Sequence, residues 1–432
     1  MSAPLRVIRR SLLAALVLLP VVFLAPGVLS QAQKTTPRAA PAPSKIKIRA
    51  ITAFVNLDRT QYQLQIPEAL KMLKRARTIF ESRGFPVEGI RIATQPFPEY
   101  IQGISREQAI AFFRNYDALA QQQGFAAAIG PAMFRAGDSP TEADVLVDIL
   151  KNTKELNASL MVAGDEGVRW PAVGAAARVM KQLEDTEHSQ GNFRFAAIAM
   201  VQPLTPFFPA AYHNGFGHQF AIALESSNLV ADAFKDAPDL ATARQRLTDE
   251  LGKEAFAIQA EAGRVDTDTG WTYMGIDLSP APLKDISIGA AIENLTNQPV
   301  GASGTLTAAA TITAAIRDIK VKQIGYSGLM LPILEDSRLA QRWGEGRLTI
   351  DSLLSYSAVC GTGLDTVPLP GDIAQEQLSL IIGDMASLAV KWHKPLSARL
   401  LPIQGKGPGD MTDLDSQFLV NTTIQPLEKA SQ

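Results

Sequence analysis

KIKIRAITAFVNL, residues 45–57, decides the fold class. Its apolar residues alternate at first and then run together, which predicts a core strand. Helical spacing follows at once: Leu70, Leu73, Ala76 and Ile79 recur across residues 66–82, and Gly84 closes the run. Residues 89–95 form a second predicted strand, stopped by Pro96 and Pro98. A second helix follows over 105–123, with Ser105 and Gln108 in capping-box spacing. The alternation continues with strands at 125–130, 158–163, 193–201, 219–224 and 272–278, and helices at 141–151, 170–183, 240–262, 286–295 and 305–316. Such alternation specifies an α/β protein with largely parallel strands. The nearly all-apolar strands suit a sheet covered on both faces. No Pro/Ser-rich linker divides residues 45–425, so the reading is one large domain.

Composition narrows the class. The chain is 46% hydrophobic and 19% charged, ordinary for a globular protein. A formal charge of −2 and the absence of a long basic run after residue 10 argue against a nucleic-acid partner. A single cysteine excludes an intramolecular disulfide framework. Arg6, Arg9 and Arg10 precede an apolar run over 11–29 and the small Ser30, the order of a secretory signal over residues 1–30. The alternative is an uncleaved membrane anchor through 11–29, because about 20 apolar residues span a bilayer. Residues 31–44, rich in Ala, Pro, Thr and Lys, read as a flexible linker, and 426–432 as a disordered tail. The expectation is an exported protein, secreted, periplasmic or tethered outside the cytoplasm.

Four segments can carry chemistry. Cys360-Gly-Thr-Gly-Leu-Asp365, with Pro368, Pro370 and Asp372 behind it, reads as a rigid loop between two helices. Cys360 is either a nucleophile, ligand or radical carrier, or a small buried hydrophobe. Asp365 suits a hard cation, whereas Asp372 suits a helix cap. His213 and His218 lie five residues apart, which is not a standard zinc spacing. Of the two, His213 is the candidate for metal binding or proton transfer, against a histidine bonded only to backbone. Asp277 ends an apolar strand, where α/β folds place their sites, or it caps the turn that follows. Glu335 and Asp336 either join a carboxylate cluster or begin a helix.

Taken in order, these segments resemble the domain-of-unknown-function family 711, also called uncharacterised protein family 0210. The resemblance covers residues 48–410. It rests on Ala211-Tyr-His213 with Gly217, Ile276-Asp-Leu-Ser-Pro-Ala-Pro282, Ile324-Gly-Tyr-Ser-Gly328 with Pro332 and Glu335-Asp336, Val359-Cys-Gly-Thr-Gly-Leu-Asp365 with Pro370-Gly-Asp372, and Lys406, Gly409 and Asp410. It implies a fold similar to pyruvate formate-lyase and other glycyl-radical enzymes: a ten-stranded α/β barrel of two parallel halves. In those enzymes a loop inside the barrel presents a cysteine, a role only Cys360 can fill here. The chain departs from them in lacking an arginine-valine-x-glycine radical loop near its end, which argues against radical catalysis. Two functions follow. One is an enzyme in which Cys360, His213, Asp277 and Asp365 meet a small polar substrate, with a divalent metal on Asp277, Asp365 and His213 assisting hydrolysis or isomerisation. The other is a non-catalytic barrel that binds a small ligand.

Overall fold

The structure, a computed structural model, describes residues 44–427. The expected signal, most of the expected linker and the end of the expected tail fall outside the described residues. Ten strands make one mixed sheet: β1 (Lys47–Val55), β2 (Val87–Thr94), β3 (Ala126–Ala132), β4 (Leu156–Gly164), β5 (Gly167–Val168), β6 (Phe195–Ala199), β7 (Gln219–Glu225), β8 (Thr272–Ala281), β9 (Gly363–Pro370) and β10 (Leu396–Ile403). The order is β8-β7-β1-β2-β3-β4-β6-β10-β9, with the two-residue β5 folded back on β4. β1, β2, β3, β4 and β6 are mutually parallel, as are β7 with β8 and β9 with β10. The two sets meet antiparallel at β1–β7 and β6–β10.

The sheet therefore has two parallel sets, of five strands and of four. The stretch from Lys322 to Leu334 supplies the missing position. At one end it bridges β8 through Ile276 and Gln323, and at the other it bridges β9 through Pro332 and Asp365, both in parallel sense. Ile276 N donates to Lys322 O at 2.9 Å, and Gly361 N donates to Leu329 O at 2.6 Å. The two sheet edges are thus joined by irregular backbone rather than by a tenth full strand.

The two faces of the sheet divide the sequence pattern between them. Ile48, Ile51, Ala53 and Val55 of β1, with Ile90 and Ile92 of β2, join the helices in the main apolar core. Alternate residues Phe54, Ala93, Ala128 and Ala221 face inward and pack on Leu204, Phe208 and Ala211. Met161, Ala196 and Ile198 likewise pack on Ala210, Tyr212 and Tyr326. So many inward alanines leave room inside the barrel, and the segment between β6 and β7 fills part of it. That segment is tied to itself by Leu204 N to Tyr212 O at 2.8 Å and by Tyr212 Oη to Val201 O at 2.8 Å.

Two expectations need correction. The supposed Cys360–Asp372 loop is largely strand β9, buried throughout. Its prolines are admissible because β9 ends the strand path: Pro368 and Pro370 pair on one side with Leu401 and Ile403 of β10, so a missing N–H on the other side costs no ladder bond. Asp372 caps nothing; the next helix begins at Gln375 after Ala374, with no side-chain cap. Helices Ser227–Phe234 and Ser337–Gly344 were too short to show a period. The capping box at Ser105 and Gln108 is present as the spacing predicts.

Candidate functional site: a charged cavity inside the barrel

Three mainly apolar strands each carry one arginine: Arg49 on β1, Arg91 on β2 and Arg399 on β10. All three line a cavity of about 430 Å³ inside the barrel. Asp277 and Ser279 of β8 and Glu335 also line it, with Phe193, Phe207, Phe208 and Phe418 as its aromatic wall. Lys154, Glu155, Glu187, Arg194 and Ser416 lie at the same cavity.

The charges are arranged as a chain with one loose end. Glu335, in the short turn Ile333–Glu335, accepts from Arg49 Nη2 at 2.7 Å and from Arg399 Nη2 at 2.5 Å. Arg399 Nε also donates to Asp365 Oδ1 at 2.7 Å. Arg399, Glu335 and Asp365 are at most 5% exposed. Burial works to raise the Glu335 carboxyl, but the guanidiniums of Arg399 and Arg49 outweigh it and hold the group below its ordinary range. Asp365 goes the other way: burial, with the Glu335 charge nearby, pushes it up against the pull of Arg399. Among the described residues its Oδ2 has no hydrogen-bond partner.

The Arg91 guanidinium makes no hydrogen bond or ion pair among the described residues, and it lies 4.7 Å above the Phe208 ring. Burial, then the neighbouring Arg49 and Arg399 charges, push it down to about 9, with Glu335 opposing. The cation is still charged near neutrality. It is held in a wall without a counter-charge in contact, an arrangement that costs free energy unless an anion completes it.

The sequence candidates fall in different places. Asp277 does lie at the cavity, but its oxygens are spent: Oδ1 accepts from Ser279 N at 3.0 Å and Ser327 N at 3.1 Å, and Oδ2 from Tyr326 N at 3.0 Å. It anchors the closing stretch to β8. A Cβ at Gly325 would lie 2.3 Å from Asp277 Oδ2, and Gly325 has φ of +70°, so glycine is needed there on both counts. Burial outweighs these bonds and raises the Asp277 carboxyl.

His213 lies beyond the packed Leu204–Ala211 plug, where its N–H donates to Thr94 O at 2.9 Å. Its Nε2 faces two acceptors, Phe216 O and Gln219 Oε1, each at 3.2 Å, and must carry the proton. Its Nδ1 accepts from Gly215 N at 3.2 Å. Burial lowers its pKa, and both ring nitrogens of the neutral imidazole are occupied. Cys360 is 1% exposed in the main core between sheet and helices, following the helix Ile350–Ser357, with its N–H on Tyr356 O at 2.8 Å. The segment inside the barrel carries Phe207 and Phe208, and the chain's one thiol lies elsewhere.

Cys360, His213, Asp277 and Asp365 therefore do not meet around one point. Among the described residues no three of His, Cys, Asp or Glu are grouped to hold a metal ion. Asp336 is also structural: it accepts from Arg338 N and Leu339 N at the start of helix Ser337–Gly344, and from Ile288 N and Gly289 N at the start of helix Ile288–Thr296. The arginines were missed, although each had a signal: a lone guanidinium inside an apolar strand must find something polar indoors.

A closed-up mixed α/β sheet with a charged interior cavity is the class that fold and site define. The chain belongs to the family described as Uncharacterised ACR (DUF711), which matches residues 42–415. It is similar to the UPF0210 protein of Pyrobaculum islandicum, 33% identical over 406 residues, covering 87% of this chain and 89% of that one. The UPF0210 protein of Oenococcus oeni is 27% identical over 389 residues, 85% of each chain. Among solved structures, the anaerobic ribonucleotide reductase from Thermotoga maritima in complex with dATP and CTP is matched over 82% of this chain and 75% of that one. Its sequence identity is 9% and its TM-score 0.35. At that level the match adds nothing to the topology read from strand pairing.

Proposed function

We propose that this chain is a small-ligand-binding barrel whose interior cavity takes up a small anion. Arg91 is the observation that carries this reading. It is a guanidinium in the cavity wall with no bonded partner among the described residues, beside two further arginines whose carboxylates are already engaged. A cation so placed favours an incoming anion, and Arg offers a planar fork that carboxylates and phosphates match. Metal-assisted catalysis has less support, because among the described residues Asp277, Asp365 and His213 are not grouped to hold one ion, and Asp277 and His213 are engaged by backbone and glutamine partners. The N-terminal sequence supports delivery of the barrel outside the cytoplasm, by a cleaved signal or a tether.

Thermal unfolding of the mature chain, scanned against acetate, benzoate, phosphate, malonate and sulfate, tests the proposal. At least one anion raises the melting temperature of the wild type and leaves Arg91→Gln unmoved. No shift with any of them, or equal shifts in both proteins, would overturn it.

A further inference from the structure

We infer that the anion is a planar monocarboxylate with an aromatic body, the aryl carboxylate class. This rests on the anion-binding reading above and adds charge, shape and size to it.

Charge comes first. Glu335 is shared between Arg49 and Arg399, and Asp365 is held by Arg399. That leaves a single guanidinium, Arg91, without a bonded partner among the described residues. One guanidinium fork matches one carboxylate. Lys154, the other cation at the cavity without a side-chain partner among the described residues, is exposed to solvent, whereas a dianion seated on Arg91 would bring its second charge toward Asp277 and Glu335 in the same walls. Inorganic phosphate and short dicarboxylates are disfavoured for that reason.

Shape and size follow from the wall. Arg91 rides 4.7 Å over Phe208, and Arg399 lies 4.7 Å over Phe193 and 5.5 Å over Phe207. Phe418 stacks on Phe193 with ring centroids 6.3 Å apart. Guanidinium planes and phenyl faces lining one cavity offer flat surfaces between which another ring stacks. Acetate or formate would fill little of about 430 Å³, a volume in the range of small-molecule sites. A one- or two-ring acid puts its carboxylate on Arg91 and its ring among the phenylalanines.

Isothermal titration of the full chain with benzoate, benzamide, acetate, malonate and phosphate tests this. Benzoate is expected to bind best. Benzamide, which has the ring without the charge, is expected to bind at least about tenfold more weakly, the loss of a charge-assisted pair. Arg91→Gln should abolish the preference for benzoate over benzamide. Phe208→Leu should weaken benzoate more than acetate, and circular dichroism checks that both variants are folded. Malonate or phosphate binding more tightly than benzoate, with loss in Arg91→Gln, would overturn the aryl carboxylate class and leave the anion cavity standing. Acetate equal to benzoate would overturn the aromatic part. No binding of any anion, or binding indifferent to Arg91, would overturn class and cavity together.

Discussion

Arg399 holds Asp365 through Nε at 2.7 Å and reaches Glu335 with Nη2 of the same guanidinium, so one buried cation ties β10 to both β9 and the turn that follows the closing stretch. Arg49 extends the tie to β1 through the other oxygen of Glu335, at 2.7 Å. The network that lines the cavity therefore also holds the barrel shut.

Glu335→Gln should be strongly destabilising. It leaves Arg49 and Arg399 without their shared carboxylate, and breaking a buried pair by removing one partner costs about 3–5 kcal/mol. The pH dependence follows from the direction of its shift. Glu335 is held below its ordinary value when folded, so its contribution is full above the unfolded value of about 4.3 and is lost as pH falls through the folded one. Urea unfolding at a series of pH values should show the gap between wild type and variant wide near pH 7 and closing below about pH 4. A gap independent of pH would contradict the assignment.

Gly325→Ala should loosen the closing stretch. The new methyl group meets the Asp277 carboxylate at a backbone angle of +70°, a strained conformation costing about 1–3 kcal/mol. Hydrogen exchange is the direct readout. The amides of Tyr326 and Ser327, which donate to Asp277, should lose protection while those of β2 keep theirs.

His213 should make the protein weaker in mild acid. Burial depresses its pKa in the folded state, so between that value and the unfolded value of about 6.5 the unfolded chain binds the extra proton. Stability then rises with pH across this window, by up to about 1.4 kcal/mol per unit for one proton. His213→Gln should flatten that slope in denaturation curves taken between about pH 5 and 7. An unchanged slope would show that folding leaves the ring's affinity for a proton where the unfolded chain has it, contradicting the depression.

Arg91→Met should leave the empty barrel as stable as the wild type or more so, by up to about 2 kcal/mol, because it removes a charge held without a bonded partner. Sites kept for binding trade stability in this way. A loss of several kcal/mol on urea unfolding would instead mark Arg91 as structural.

The class of fold was legible because periodicity is a local property: the pattern of residues 45–57 reappears as β1, with its outward apolar and inward positions as the pattern implies. Closure of the sheet came only from the family resemblance and not from the pattern, since the stretch from Lys322 to Leu334 makes its bridges one residue at a time and has no strand pattern to read. The Cys360 segment misled because glycine and proline mark loops on average, yet an edge strand tolerates both. Asp277, Asp365 and His213 were singled out as candidate catalytic groups and metal ligands, but sequence could not tell that their partners would include backbone amides, an arginine and a carbonyl. The arginines went unread because each is a single charge in a mainly apolar stretch. Only the pairing order brings Arg49 and Arg91 onto adjacent strands and Arg399 across from them.

The most direct test of an anion seat at Arg91 is anomalous diffraction at the bromine edge from crystals soaked in sodium bromide. An anion seat at Arg91 places an ordered bromide inside the barrel within contact of the Arg91 guanidinium, absent from the same soak of Arg91→Gln crystals. Bromide found only on the outer surface, or an interior peak that persists without Arg91, would contradict it.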